Sequence, residues 1–387
     1  MALLVDNRAA PGGVATPGVH ALVVGVSDYA HLPRHDDPPD PATWNLCSIG
    51  ATSLSAARIA TWLSGTALVH QLKTLRVLLS PTDVETAGVP AWAAGAGVPT
   101  RANLARALWD WHQDCQDDPQ SVALFYYAGH GFSRGRGDVN LLLSCSDLFA
   151  PGGPRLSNTI AASNVFFGMA PQTAGDRIAR QQFFFFDCCR SYPEEMKAFD
   201  DRTVAPALDV LLTEGVPDNR SYGRWFAAPD NQAAYASIGQ GTRFEKAVSD
   251  AFLRAGRKKL VTGWQLDAES ITARLNARYA TLPGQMMVPD ASSPGPVLRR
   301  MPAAPDVDLE VILDPTASAA GREVGFQHAA MGFVPGTLAA PGRHTIMLRP
   351  GEYDVKVRGP GMQWTAVLEG QIVLPDVENP WILRGWP

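Results

Sequence analysis

Three runs of strand length are apolar at nearly every position, and this feature limits the fold more than any other: His20–Val26 (HALVVGV), Ser121–Tyr127 (SVALFYY) and Gln182–Phe186 (QFFFF). A strand with one face in water alternates apolar and polar residues. A continuous run must be covered on both faces, as in a parallel sheet between layers of helix. The intervening segments supply those helices. Ser53 to Leu63 carries Leu54, Ala57, Ile59, Ala60 and Leu63 at helical spacing, and Thr100 is placed to cap a helix that runs to about Cys115. Leu72–Leu79 and Trp225–Ala228 read as further strands, and Phe244–Ala255 and Ala268–Tyr279 as further helices. The alternation predicts an α/β fold, a mostly parallel open sheet flanked by helices, with ligand sites at the carboxyl ends of its strands.

Shifts in composition divide the chain. Residues 1–18 are rich in Gly, Ala and Pro and read as a flexible N-terminal arm. Residues 19–290 form the main domain, and the Pro, Ser and Gly content across 291–306 reads as a linker. From 307 to 387 short alternating strands such as Leu309–Leu313, Thr345–Leu348 and Tyr353–Val357 predict a small all-β sandwich.

Charge and cysteine usage exclude several classes. The formal net charge is -5 with a pI of about 5.9, and Lys and Arg are scattered, so no electrostatic footprint for nucleic acid is present. No apolar run approaches the roughly 20 residues of a membrane span. The five cysteines, at 47, 115, 145, 188 and 189, form no CxxC pair, which argues against a disulfide scaffold or a metal site. Free thiols, with no basic and apolar leader in MALLVDNRAAPGG, lead to the expectation of a cytoplasmic protein without metal or cofactor.

The chemistry lies where two of the buried strands end. Ser121–Tyr127 runs into Ala128-Gly129-His130-Gly131, and Gln182–Phe186 into Asp187-Cys188-Cys189-Arg190. A cysteine nucleophile reacts as its thiolate, and an imidazole beside it can take up the thiol proton and later pass it to a leaving amine. Glycines flanking His130 permit close approach of a substrate carbonyl, and the N–H groups of Gly131 and Cys189 are natural oxyanion donors. The remaining cysteines, and His20, His31, His35, His70, His112, His328 and His344, read as structural.

YYAGHG at 126–131 and FFFFDCCRSY at 183–192 resemble the His and Cys motifs of the caspase and metacaspase family of cysteine peptidases. ALVVGVSDY, PTRANLARALWDW and LLLSCSD are similar to the same family in the same order, so the resemblance spans about residues 18–290. The separation of the two motifs is close to the roughly 50 residues of caspases. The resemblance implies that His130 and Cys189 are catalytic, Cys189 being the cysteine followed by Arg. It implies a substrate pocket at Asp187 and Ala128, with Trp225 and Asp230 in the far wall of the groove.

The resemblance implies cleavage after Arg or Lys, because metacaspase-like members carry an acidic pocket residue at the position of Asp187. Ala128 stands where the family often has Ser, and Ala51-Thr52 where it often has Asn-Asp; Arg34 and Arg224 leave acidic specificity as an alternative. A second alternative is a caspase-like scaffold without catalysis. Family analogy further implies a protein substrate, an activating protein or protease, and a role in defence or cell death. Self-cleavage at Lys197, Arg202 or Arg220 and calcium at Asp200-Asp201 are possible additions. A monomer is expected, its C-terminal module resembling Ig-like docking modules.

Overall fold

A computed structural model describes residues 2–8, 16–135, 138–141, 159–173, 175–191, 206–210, 215–259, 263–280, 286–314, 319–373 and 381–384. The chain forms two units by contact, residues 1–249 with 282–299, and residues 250–281 with 300–387.

The apolar runs form the centre of a seven-stranded sheet in the first unit. In chain order its strands are β1 (Ala2–Asp6), β2 (Val19–Val26), β3 (Leu72–Ser80), β4 (Val122–Ala128), β8 (Gln181–Asp187), β9 (Ser221–Phe226) and β14 (Val288–Ala291), arranged β1-β3-β2-β4-β8-β9-β14. The five inner strands are parallel, and both edge strands are antiparallel to their neighbours. Every residue of β2 and β4 is buried, as continuous apolarity requires. The phenylalanines of β8 alternate between the two faces. Phe184 and Phe186 pack with Trp111, Phe125 and Phe226 on one side, while Phe183 and Phe185 stack on Trp225 on the other.

Helices α1 (Thr52–Gly65), α2 (Asp83–Thr86), α3 (Arg101–Asp114) and α4 (Ala162–Gly168) come from the connections. Thr100 caps α3 as expected, accepting from Asn103 N–H at 3.1 Å. Helix α1 is preceded by Ala51, which has no capping side chain, and the N–H groups of its first turn, which lack helical partners, are met from elsewhere in the fold. Ser27 Oγ accepts from Ser53 N–H at 2.7 Å and Glu85 from Leu54 N–H at 3.0 Å. The small sheet β5 (Gly131–Gly135), β6 (Asp138–Leu141) and β7 (Ile160–Ala161) follows β4, and the hairpin β10 (Ala236–Ser237) and β11 (Gly241–Thr242) precedes α5 (Arg243–Arg254).

Two boundaries differ from the sequence reading. The expected flexible arm contains β1, which pairs with β3; its few apolar residues show no period alone but find an open edge to cover. The region read as Pro-rich linker, 291–306, holds β15 (Val297–Met301) and the last residue of β14, which runs Val288–Ala291 and pairs with β9. Pro289 fits there because β14 is an edge strand.

The second unit contains the hairpin β12 (Arg257–Lys259) and β13 (Gly263–Asp267) and helix α6 (Ala268–Ala280). Residues 250–281, expected in the main domain, therefore group with the C-terminal residues. The rest is all β: a sheet β19-β20-β16-β23 and a sheet β18-β17-β21-β22, built from β16 (Val307–Asp314), β17 (Glu323–His328), β18 (Gly332–Pro335), β19 (Thr337–Ala340), β20 (Arg343–Leu348), β21 (Gly351–Arg358), β22 (Thr365–Val373) and β23 (Trp381–Arg384). Alternating residues of both sheets, among them Leu309, Val311, Phe326, Leu348 and Val355, share one core.

Candidate active site

β4 and β8 are adjacent and parallel, and their last paired residues are Ala128 and Asp187. His130 and Cys189 each follow two residues later, so they leave neighbouring strands, roughly 4.8 Å apart, at the same level of the carboxyl edge. Gly131 sits tightly between them. A Cβ at Gly131 would lie 2.7 Å from both Cys188 Sγ and Cys189 O, so only glycine lets β5 start here. Ser133 fixes the two segments together, its N–H bonding Ser191 O at 2.8 Å and its hydroxyl Arg190 O at 3.0 Å.

His130 Nε2 lies 2.6 Å from Cys47 O. A carbonyl only accepts, so Nε2 carries the proton and Nδ1 carries the lone pair. Burial lowers the imidazole pKa from 6.5 to about 4, partly opposed by the Cys47 bond. The backbone of His130 is also held. Its N–H donates to Tyr29 Oη at 2.7 Å, and its carbonyl accepts from Tyr127 Oη at 2.9 Å.

Cys189 is partly exposed, whereas Cys188 is 1% exposed beside Gly131. Cys189 Sγ accepts from Ala234 N–H at 3.2 Å. Residues 231–234 are held over it by Arg190 N–H to Gln232 O at 2.9 Å and Asn231 N–H to Arg190 O at 2.8 Å. Burial raises the Cys189 thiol above its ordinary range, Asp187 adds to the rise, and the Ala234 bond opposes it. At neutral pH the thiol and the imidazole are therefore both uncharged, a resting state different from a thiolate–imidazolium ion pair.

The caspase-domain family model matches residues 72–295, which span both strand ends. The chain belongs to the caspase-domain family. Members of this family are cysteine peptidases, so a caspase domain accounts for the α/β sheet and gives the chain its hydrolase class. Among solved structures, protein GSU0716 of Geobacter sulfurreducens is similar at 12% identity and a TM-score of 0.42, over 74% of this chain and 95% of that one. Caspase-1 of Spodoptera frugiperda is similar at 13% identity and a TM-score of 0.42, over 78% and 96%. No curated protein matches the chain. Among the described residues no helix is long and apolar enough to cross a membrane.

The caspase domain holds the expected pocket residues unevenly. Asp187 is 2% exposed and accepts from Tyr126 Oη at 2.8 Å and from Thr242 Oγ1. Burial raises its pKa from 3.8 to about 7, against the effect of those two hydroxyls. Ala128 is fully buried at the end of β4. Trp225 does not face a groove: its indole is fully buried against Phe185, with ring centroids 4.7 Å apart, because its position on β9 points into the sheet face. Asp230 is half exposed and pairs with Arg190, so it holds the chain beside Cys189. Arg34 and Arg224, the alternative cations, already face carboxylates, Asp83 at 3.4 Å and Asp290 at 2.5 Å. Lys197, Arg202 and Asp200-Asp201 lie outside the described residues, as do Cys145 and most of LLLSCSD. Arg220 is 6% exposed and bound to Asp218, which removes it as a cleavage point in the folded chain.

Sequence reasoning missed the Cys47 carbonyl, the Ala234 amide and the hydroxyls of Tyr29, Tyr126, Tyr127 and Thr242. The first two are main-chain groups and have no residue signature. Tyr126 and Tyr127 were visible only as apolar strand residues, and Tyr29 only as the end of the segment that follows the first strand.

Proposed function

We propose that the chain is an endopeptidase in which Cys189 is the nucleophile and His130 the general base and acid. The matched register of β4 and β8 carries this reading, together with the proton that Cys47 O fixes on Nε2. Nδ1 takes the Cys189 thiol proton as sulfur attacks the scissile carbonyl, which suits a pair that rests neutral. The Gly131 and Cys189 N–H groups hold the oxyanion, each contributing about 2.7–4 kcal/mol by comparison with measured donors. His130 then returns the proton to the leaving amine, and water releases the acyl enzyme.

The preferred P1 residue is Arg or Lys. Asp187 is bonded to neutral hydroxyls, while the arginines that could serve an acidic P1 are already opposite carboxylates. A substrate cation would bring Asp187 the counter-charge that burial makes valuable. Fluorogenic peptides ending in Arg, Lys or Asp test the reading with wild type, Cys189→Ala and His130→Ala. Wild type cleaves the Arg and Lys peptides, and either substitution lowers kcat by roughly three orders of magnitude or more. Cleavage after Asp alone overturns the pocket assignment; undiminished cleavage by Cys189→Ala overturns the nucleophile.

A further inference from the structure

The hydroxyls of Tyr29 and Tyr127 meet over one glycine. A Cβ on Gly129 would lie 2.8 Å from Tyr29 Oη and 2.7 Å from Tyr127 Oη, so the Gly129–His130 peptide approaches both oxygens more closely than any side chain would permit. Tyr29 is 3% exposed and Tyr127 is fully buried, so neither hydroxyl is there for solvation. The two also hydrogen-bond to each other.

Counting protons fixes the direction of every bond. Tyr127 has one proton and gives it to His130 O at 2.9 Å. Its bond with Tyr29 must therefore use the Tyr29 proton, while Tyr29 Oη accepts from His130 N–H at 2.7 Å. The result is a closed ring: His130 N–H to Tyr29, Tyr29 to Tyr127, and Tyr127 to His130 C=O. Within such a ring each bond polarises the next. Burial raises both phenol pKa values above the ordinary range, so the ring keeps its protons throughout the pH range in which a peptidase works.

We infer that Tyr29 and Tyr127 are positioning residues for His130, clamping its main chain so that Nε2–H stays on Cys47 O and Nδ1 keeps the lone pair that the proposed mechanism offers to the Cys189 thiol. The inference rests on His130 being the base. It extends that reading by explaining what sets the base's orientation: the Cys47 bond is a single contact about which the ring could tilt, and the clamp removes that freedom from the backbone side. The Tyr29 ring also lies 4.9 Å from the imidazole, tilted by 44°, and limits rotation from the other side.

Tyr29→Phe and Tyr127→Phe keep the rings and delete one hydroxyl each. Each variant is expected to lower kcat for an Arg peptide roughly tenfold with KM unchanged, the size of one lost hydrogen bond. Cys189 alkylation by iodoacetamide, followed by peptide mass mapping to separate it from Cys47, should slow by a similar factor. In both variants the ¹⁵N shifts of the His130 imidazole should move from a single Nε2–H tautomer towards a mixture, which a merely structural role would not produce. Folded Phe variants with wild-type kcat and an unchanged tautomer overturn the clamp alone. An active His130→Ala overturns the base reading on which it rests. If the Phe variants do not fold, wild type still decides: the ring predicts slowly exchanging Tyr29 and Tyr127 hydroxyl protons in NMR, and hydroxyls that exchange freely with water exclude it.

Discussion

The amino-terminal halves of the central strands and their carboxyl ends treat polar groups in opposite ways. Towards the amino-terminal side, charge is matched with charge. Arg76, 4% exposed, places Nε 2.8 Å from Asp114 and Nη1 3.5 Å from Asp110, and Arg8 adds a bond to Asp114 at 3.1 Å. Arg220 grips both oxygens of Asp218, donates to Phe166 O at 2.7 Å and to Gln182 at 3.0 Å, and lies over the Phe166 ring. At the carboxyl ends Arg190 still pairs with Asp230, but three titratable groups meet neutral partners instead: His130 a carbonyl, Cys189 an amide and Asp187 two hydroxyls. All three are shifted by burial towards their uncharged forms. One end holds the sheet together with paired charges, and the other bears a stability cost that the proposed mechanism would use to keep groups ready to move a proton.

If this division is correct, breaking an ion pair away from the site should cost stability and leave chemistry alone. Asp114→Ala removes the nearest counter-charge of a buried arginine, for which about 3–5 kcal/mol is expected. Urea unfolding should show that loss, while kcat per folded molecule stays at the wild-type value. A normal unfolding midpoint with a reduced kcat would dissolve the comparison, because it would make the amino-terminal side part of the catalytic apparatus.

The sheet was legible because burial on both faces leaves a continuous signature; β2, β4 and β8 fell within a residue or two of the runs that announced them. That His130 and Cys189 leave neighbouring strand ends was legible for a related reason, since each follows a buried strand directly and small or reactive residues stand out there. The edges were not. β1 and β14 are short, and what makes them strands is an open neighbour supplied by distant sequence. Trp225 was misplaced because alternation along β9 decides which face it enters, and the sequence around it does not reveal which face is open. The first turn of α1 hid its cap for the same reason, since Glu85 and Ser27 reach it through space.

The carboxyl end makes the opposite prediction from Asp114: neutralising a group there should stabilise the fold. Asp187 is raised from 3.8 to about 7 in the folded chain. The folded state therefore binds its proton more tightly, and stability falls as pH rises from 3.8 to about 7. By pH 8 the deficit is about 4 kcal/mol. Asp187→Asn removes the ionisation and retains an oxygen for Tyr126 and Thr242. Its Tm should exceed wild type at pH 8, with the difference closing towards pH 4, while KM for Arg peptides rises. An equal Tm at pH 8 would mean that Asp187 is ionised without penalty, and the contrast between the two ends would lose its clearest member.

One pair of residues tests whether the contrast is one of function or merely of burial. His20 is the second residue of β2, is fully buried with Nδ1 2.9 Å from Thr74 Oγ1, and has a pKa lowered to about 4 by burial; His130 lies beyond the other end of the sheet with the same value. For a base with a lowered folded pKa, stability is complete above the unfolded value of 6.5 and is lost as pH falls towards 4. Each imidazole contributes about 3 kcal/mol to that acid limb. His20→Asn should flatten the dependence of the urea midpoint on pH between 6.5 and 4 and leave kcat unchanged. His130→Ala should flatten it as much and abolish cleavage. Equal flattening with unequal chemistry would show that burial sets the pKa at both ends, while only the Cys47 carbonyl and the neighbouring thiol make one of the two imidazoles a base. Flattening by His130→Ala alone would instead tie the low pKa to the site.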